Sequence, residues 1–249
     1  MAKKIVFLTG TRADFGKLSP LMDAVESDDT FECHIFVTGM HTLEKYGNTF
    51  DEIQKKGYKN ITVFHNQTDD NQQDLILART ITGFSEYVKR ISPDMIIVHG
   101  DRIEALAGAI VGSFNNILVS HIEGGEISGT VDELIRHAVS KLSHIHFTAN
   151  DEATERLIQL GESKNSIFTI GSPDIHVMTS VELPTINEVL NHYEIPFKDF
   201  GVFIFHPVTT ELDTLAEQIN EVVLSLIESN KNFIVIYPNN DSGTEIILE

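Results

Sequence analysis

Apolar residues along this chain gather in short runs separated by longer stretches of helical periodicity. Runs rich in β-branched and aromatic residues fall at 5–9, 34–37, 95–99, 118–121, 145–148 and 168–170. Between them, apolar positions recur at three- and four-residue spacing over about 17–29, 71–91, 103–115, 129–142 and 151–160. A strand with little polar alternation is buried on both faces. Strands each followed by a helix fold into a parallel sheet covered on both sides. The pattern therefore predicts an α/β, Rossmann-like domain over 1–175. Asn150 is placed to cap a helix with Asp151 and Glu152 in its acidic first turn, and Asp174 is placed to cap another.

From about 176 the character shifts. Pro184 and Pro196 bracket a helix and a linker, and a new β-α-β unit follows as strand 202–205, helix 212–229 and strand 233–237. One such unit cannot bury both faces of a sheet. Residues 176–249 are therefore expected to be the incomplete start of a second Rossmann-like domain. The missing packing partner predicts an exposed apolar face around Phe203, Phe205 and Ile234.

Composition excludes some partners. The 249 residues carry a formal net charge of −19, which disfavours non-specific binding to nucleic acid or to anionic membranes. An anionic substrate must then be held by a few local cations. The one cysteine, Cys33, permits no intrachain disulfide. The apolar run 5–8 is too short for a signal-peptide core, and no run reaches membrane-spanning length. The expected location is the cytoplasm.

Four segments at strand ends carry candidate chemistry. Gly10-Thr-Arg-Ala-Asp-Phe-Gly16-Lys17 follows the first strand and opens the first helix. A helix N-terminus binds phosphate through its free N–H groups, and Arg12 and Lys17 would add cations. The spacing is neither a Walker A loop, since Leu18 stands where Ser or Thr should be, nor a dinucleotide fingerprint. The plainer alternative is a turn with two solvated cations. His99-Gly-Asp101-Arg102 follows an apolar strand, where ligands bind in open α/β sheets. There Asp101 reads either as a site residue beside Arg102 or as a helix cap. His121-Ile-Glu-Gly-Gly-Glu126-Ile-Ser-Gly-Thr-Val-Asp132-Glu-Leu-Ile-Arg136 again follows a strand and runs into a helix. Asp132 and Arg136, four apart, share a helix face and read as either site residues or a surface ion pair. Asp101, Glu123 and Asp132 are candidates to converge, and crowded carboxylates separate into an acid and a base. His206-Pro-Val-Thr-Thr-Glu211 and Tyr237-Pro-Asn-Asn-Asp-Ser-Gly243 occupy equivalent places in the second unit. His144 and His146 project from one strand face. Without a third ligand at metal spacing, polar support of the neighbouring glycine loop is favoured over zinc.

Together these segments resemble the UDP-N-acetylglucosamine 2-epimerases, in their hydrolysing branch that feeds sialic-acid biosynthesis. The matching words are GTRAD, HGDRIEAL, HIEGGEISGTVDELIRHAVSKLSHIH, GSPD at 171–174, HPVTTE and YPNND. The non-hydrolysing branch is similar in fold but usually reads GTRPE, GDT and HVEAGLR at the first three places. The resemblance implies a glycosyltransferase-B-type fold of two Rossmann-like domains with a UDP-sugar in the cleft, no cofactor or metal, and a homo-oligomer, dimer or tetramer. The implied reaction is UDP-GlcNAc plus water to N-acetylmannosamine plus UDP, by elimination to a glycal and hydration with inversion at C2. On this chain it makes Asp101, Glu123 and Asp132 catalytic, with Glu123 abstracting the C2 proton. Arg12, Gly16, Lys17, Arg102, Arg136, His206 and Asn239 become substrate-binding. Gly16 stands where the animal enzyme carries a serine and offers only backbone. The family's second domain is longer than 176–249, so little or no turnover and poor UDP binding are expected of these 249 residues alone. Three other readings remain: a hydrolysing epimerase for a UDP-2,4-diacetamido sugar, a non-hydrolysing epimerase, and an inactive nucleotide-sugar-binding fragment.

Overall fold

The computed structural model describes residues 2–44, 49–67, 72–179, 183–208, 211–238 and 243–248. They form two compact units, Met1–Val181 and Glu182–Glu249.

The first unit runs β1 (Lys3–Thr9), α1 (Arg12–Glu26), β2 (Phe31–Val37), α2 (Phe50–Lys55), β3 (Asn60–Val63), α3 (Gln73–Ile91), β4 (Met95–His99) and α4 (Ile103–Phe114). It continues with β5 (Leu118–Ile122), α5 (Thr130–Lys141), β6 (Ile145–Thr148), α6 (Asp151–Gln159), β7 (Ile167–Thr169) and α7 (Pro173–Met178). The seven strands form one sheet in the order β3-β2-β1-β4-β5-β6-β7, and every neighbouring pair is parallel. The chain starts mid-sheet, winds outward to β3, then returns to lay β4 against β1. That reversal is the topological switch where ligands bind in such sheets.

Both faces are buried, which is why the strands read as unbroken apolar runs. Val6, Leu8, Phe36 and Val98 pack under Phe84, Tyr87 and Val88 of α3 and Ala105 and Ala109 of α4. Ile5, Phe7, Ile35 and Ile97 pack under Phe15, Leu18 and Met22 of α1.

Helix α1 begins at Arg12, earlier than its apolar periodicity suggests. Thr11 caps it by accepting from the Asp14 N–H, and Asp14 reciprocates on the cap backbone. Pro20 inside the helix lacks the N–H that would reach the Gly16 carbonyl. The Ser19 hydroxyl donates to that carbonyl instead, at 3.3 Å. Helix α2 and strand β3 were not anticipated. β3 is a four-residue edge strand with mixed polarity, Asn-Ile-Thr-Val, half-exposed along its length.

The second unit holds α8 (Ile186–His192), β8 (Gly201–Ile204), α9 (Leu212–Glu228), β9 (Phe233–Ile236) and α10 (Thr244–Leu248). β8 and β9 pair in parallel. The expectation of exposure at Phe203, Phe205 and Ile234 needs correcting, because all three are half-buried. The exposed apolar residues of its two strands are Val202 (61%), Ile204 (52%) and Ile236 (43%) on one face and Val235 (65%) on the other.

Candidate active site

The site grows from the loops that leave the carboxyl ends of β1, β4, β5 and β7. The loop after β5 begins at Glu123, whose N–H donates to the Phe147 carbonyl at 2.8 Å. Its φ of 59° lies in the left-handed region, which costs a non-glycine residue roughly 1–2 kcal/mol. Strain of this kind persists where the surroundings over-determine it, typically at functional positions. The two glycines that follow are a steric requirement. A Cβ on Gly124 would lie 2.7 Å from His121 Nδ1, and one on Gly125 would lie 2.3 Å from the Ala153 carbonyl oxygen. The loop is therefore pressed against the start of α6. Arg156 Nη1 donates to the Gly125 carbonyl at 3.0 Å. Asn150 caps α6 as its position suggests, accepting from the Ala153 N–H at 2.8 Å.

The Glu123 carboxylate is the centre of a cluster. Lys17 Nζ lies 2.6 Å from its Oε2 and His99 Nε2 lies 2.9 Å from the same oxygen. Ser172 Oγ donates to Oε1 at 2.6 Å. Burial alone pushes a carboxyl group towards its neutral form. Here the hydrogen bonds from His99, Lys17 and Ser172 outweigh it and hold Glu123 well below the ordinary carboxylate range. Lys17 also lies 3.2 Å from Asp174 Oδ2. Burial would lower the Lys17 pKa, but the two carboxylates raise it.

A second group surrounds Asp101. Arg136, read from spacing as a partner of Asp132, reaches across from α5 to hydrogen-bond the Asp101 carboxylate and donates to Ser128 Oγ at 3.0 Å. The cap position of α4 belongs to Arg102, so the alternative reading of Asp101 as a cap fails. The Arg102 side chain is about one-third exposed, its Nε 3.9 Å from Glu104 Oε2. Asp132 lies exposed in the first turn of α5. Arg12 is exposed at the start of α1, its Nε 3.2 Å from Glu52 of α2. Around Gly16 there is open space. His206 is exposed in the second unit, and Asn239 lies outside the described residues. His144 and His146 have polar duties: His144 Nδ1 accepts from the Val119 N–H at 3.1 Å, and His146 Nε2 lies 3.2 Å from Glu162.

The sequence profile of the UDP-N-acetylglucosamine 2-epimerases matches residues 23–249. The chain belongs to the UDP-N-acetylglucosamine 2-epimerase family. It is 49% identical over 247 residues to the UDP-N-acetylglucosamine 2-epimerase of Neisseria meningitidis serogroup B, covering 99% of this chain and 66% of the relative. It is 35% identical to the UDP-N,N'-diacetylbacillosamine 2-epimerase (hydrolyzing) of Legionella pneumophila, covering 100% and 67%. It is 34% identical to polysialic acid biosynthesis protein P7 of Escherichia coli, covering 98% and 64%. The chain thus spans about two thirds of the length of the curated relatives it matches. Its fold follows that of a Neisseria meningitidis UDP-GlcNAc 2-epimerase solved bound to UDP-GlcNAc, with a TM-score of 0.82 at 18% identity over 98% of this chain and 68% of that one. A Methanocaldococcus jannaschii UDP-GlcNAc 2-epimerase gives 0.80 at 23% identity, over 98% and 68%. This is the expected glycosyltransferase-B-like architecture of the family.

Within this epimerase-family fold, sequence reasoning flagged His99 only as part of the His99–Arg102 segment and missed Ser172 as a site residue. It read Asp174 as a helix cap, but that position belongs to Ser172, and Asp174 lies in the first turn of α7 beside Lys17. His99 ends an apolar strand beside Asp101, a place where a polar side chain is conspicuous. Ser172 and Asp174 fall within the word GSPD, but only the position of β7 in the sheet brings that turn to Glu123. Among the described residues no helix is long and apolar enough to cross a membrane.

Proposed function

We propose that the full-length protein is a hydrolysing UDP-N-acetylglucosamine 2-epimerase, converting UDP-GlcNAc and water to N-acetylmannosamine and UDP. The observation that carries this reading is the Glu123 carboxylate, 13% exposed and bonded by Lys17, His99 and Ser172 at the sheet's ligand-binding edge. Glu123 takes the C2 proton. The electron pair forms the C1–C2 double bond as the C1–oxygen bond to UDP breaks. Water then adds across the glycal, hydroxyl to C1 and a proton to the opposite face of C2. Asp101 and Asp132 divide leaving-group assistance and water delivery. Arg12, Lys17 and Arg102 receive the diphosphate, with Gly16 beside them, and Arg136 holds Asp101 in place. For His206 and Asn239 the substrate-binding role is the one the family resemblance implies.

A carboxylate bonded so strongly is a weak base. A diphosphate is a stronger partner for Lys17 than one carboxylate is. As the substrate draws the ammonium away, Glu123 loses a hydrogen bond and a positive neighbour, and its proton affinity rises when the base is needed. Hydrolysis over simple epimerisation is supported by the words HGDR and HIEGGE and by the hydrolyzing relative of L. pneumophila. With this reading go a cytoplasmic location, a homo-oligomer and no cofactor.

A second substrate, a UDP-2,4-diacetamido sugar, is favoured by the activities after which two relatives are named. They are the L. pneumophila enzyme at 35% identity and a Campylobacter jejuni GDP/UDP-N,N'-diacetylbacillosamine 2-epimerase (hydrolyzing) at 29%. Incubating the full-length protein with each UDP-sugar separates the possibilities by product. Free N-acetylmannosamine with equimolar UDP is expected, carrying deuterium at C2 when the solvent is D2O. UDP-N-acetylmannosamine without UDP release overturns hydrolysis. Turnover of the diacetamido sugar alone moves the assignment to that substrate, and turnover of neither leaves a non-catalytic nucleotide-sugar-binding protein.

A further inference from the structure

We infer that His121 is a positioning residue that ties the Asp101 loop to the Glu123 loop through one neutral imidazole tautomer. Its meaning for catalysis rests on the function proposed above; its tautomer does not.

His121 is fully buried on β5, two residues before Glu123. Its Nε2 lies 2.8 Å from the carbonyl oxygen of Gly100, the residue before Asp101. A carbonyl can only accept, so Nε2 carries the hydrogen. Its Nδ1 lies 3.0 Å from Ser140 Oγ on α5. Burial disfavours a second proton, and against the Gly100 hydrogen bond His146, His99 and Arg136 add to that effect, pushing the imidazole down to about 3. These neighbours face the ring from β6, β4 and α5. Nδ1 is therefore bare and accepts the Ser140 hydroxyl.

The ring then holds both loops. The Gly100 N–H donates to the Ile122 carbonyl at 3.0 Å, so Gly100, the residue before Asp101, is fastened through its carbonyl to His121 and through its N–H to Ile122, next to Glu123. On the far side of the ring, a Cβ on Gly124 would meet His121 Nδ1 at 2.7 Å and Ser140 Oγ at 2.9 Å. An Nδ1–H tautomer or a flipped ring would leave no hydrogen facing the Gly100 carbonyl, break that bond and displace Asp101 relative to Glu123. A second proton on the ring would reverse the Ser140 bond and bury a charge.

Two measurements on the full-length protein test this. Long-range proton–nitrogen correlation spectra of ¹⁵N-histidine-labelled protein should show His121 as the neutral Nε2–H form, unchanged between about pH 5 and 8. An Nδ1–H form, or titration in that range, overturns the inference whether or not the protein is an epimerase. The second compares two amides. H121Q carries an N–H to the reach of Nε2, while H121N stops near Nδ1. H121Q should keep kcat within about tenfold, and H121N should lose about 100-fold, with KM for the UDP-sugar changed less than about threefold in both. Equal kcat in the two variants, or losses that track their melting temperatures, overturn the positioning role. Absence of any epimerase activity in the unmodified protein would fall on the functional reading alone and leave the tautomer measurement decisive.

Discussion

At Glu123 two opposing effects act on one carboxyl group, and three hydrogen bonds defeat burial. Glu123→Gln keeps the shape and removes the base. We expect kcat to fall by about 10²–10⁴ while UDP affinity by calorimetry stays within about threefold. Near-normal turnover would sink the proton-abstraction role. The same residue sets a pH dependence of stability. Its folded pKa is depressed below its ordinary value of 4.5, so its stabilisation is fully present above that pH. It is lost as pH falls below 4.5 towards the lower folded value, because the unfolded chain takes up the proton first. Urea midpoints should therefore fall less steeply on acidification in E123Q than in the unmodified chain. Cys33, by contrast, is buried and has its thiol pushed up to about 12 by burial and by Glu26 and Asp23, so it is an inert core residue.

At the scale of elements, Gly125 in the loop before α5 and Gly16 within α1 separate by what surrounds them. Gly125 has a φ of 81° and no room for a methyl group. Gly125→Ala should cost about 2–4 kcal/mol in urea unfolding. Gly16 lies inside α1 with open space around it, so Gly16→Ala should stabilise the helix by about 0.5–1 kcal/mol. A neutral Gly125→Ala would show that the loop can move away from α6. Elements were legible where one physical cue dominated. The double burial of β1 and β4 wrote itself into unbroken apolar runs, and the Asn150 cap marked α6. β3 escaped because an edge strand is half wet and mixes polar with apolar residues. The start of α1 escaped because its signal is a reciprocal cap between Thr11 and Asp14, not periodicity.

For the whole molecule, the net charge of −19 is an unspecific energy term legible without coordinates. Like charges on a compact body repel, and salt screens them. Raising sodium chloride from about 20 to 200 mM should lift the melting temperature by about 2–5 °C, read by calorimetry. A fall would mean that attractive ion pairs such as Lys17–Glu123 dominate instead. The second unit contributes differently. Its two-stranded sheet leaves Val202, Ile204, Ile236 and Val235 exposed on two faces, since one β-α-β unit cannot cover both.

By itself the sequence determined the kinds and order of most elements, because burial on one or two faces is recorded locally in the spacing of apolar residues. It also marked Asp101, Glu123 and Lys17, because polar residues at the end of an apolar strand or the mouth of a helix stand out against their neighbours. Only the tertiary structure decided that β4 lies against β1, that Arg136 reaches Asp101, and that Lys17, His99 and Ser172 all meet on Glu123. Lys17 and Glu123 are 106 residues apart and Ser172 lies 49 beyond Glu123. A contact across such separations leaves no periodicity in the chain. It exists because seven parallel strands carry all their carboxyl ends to one edge.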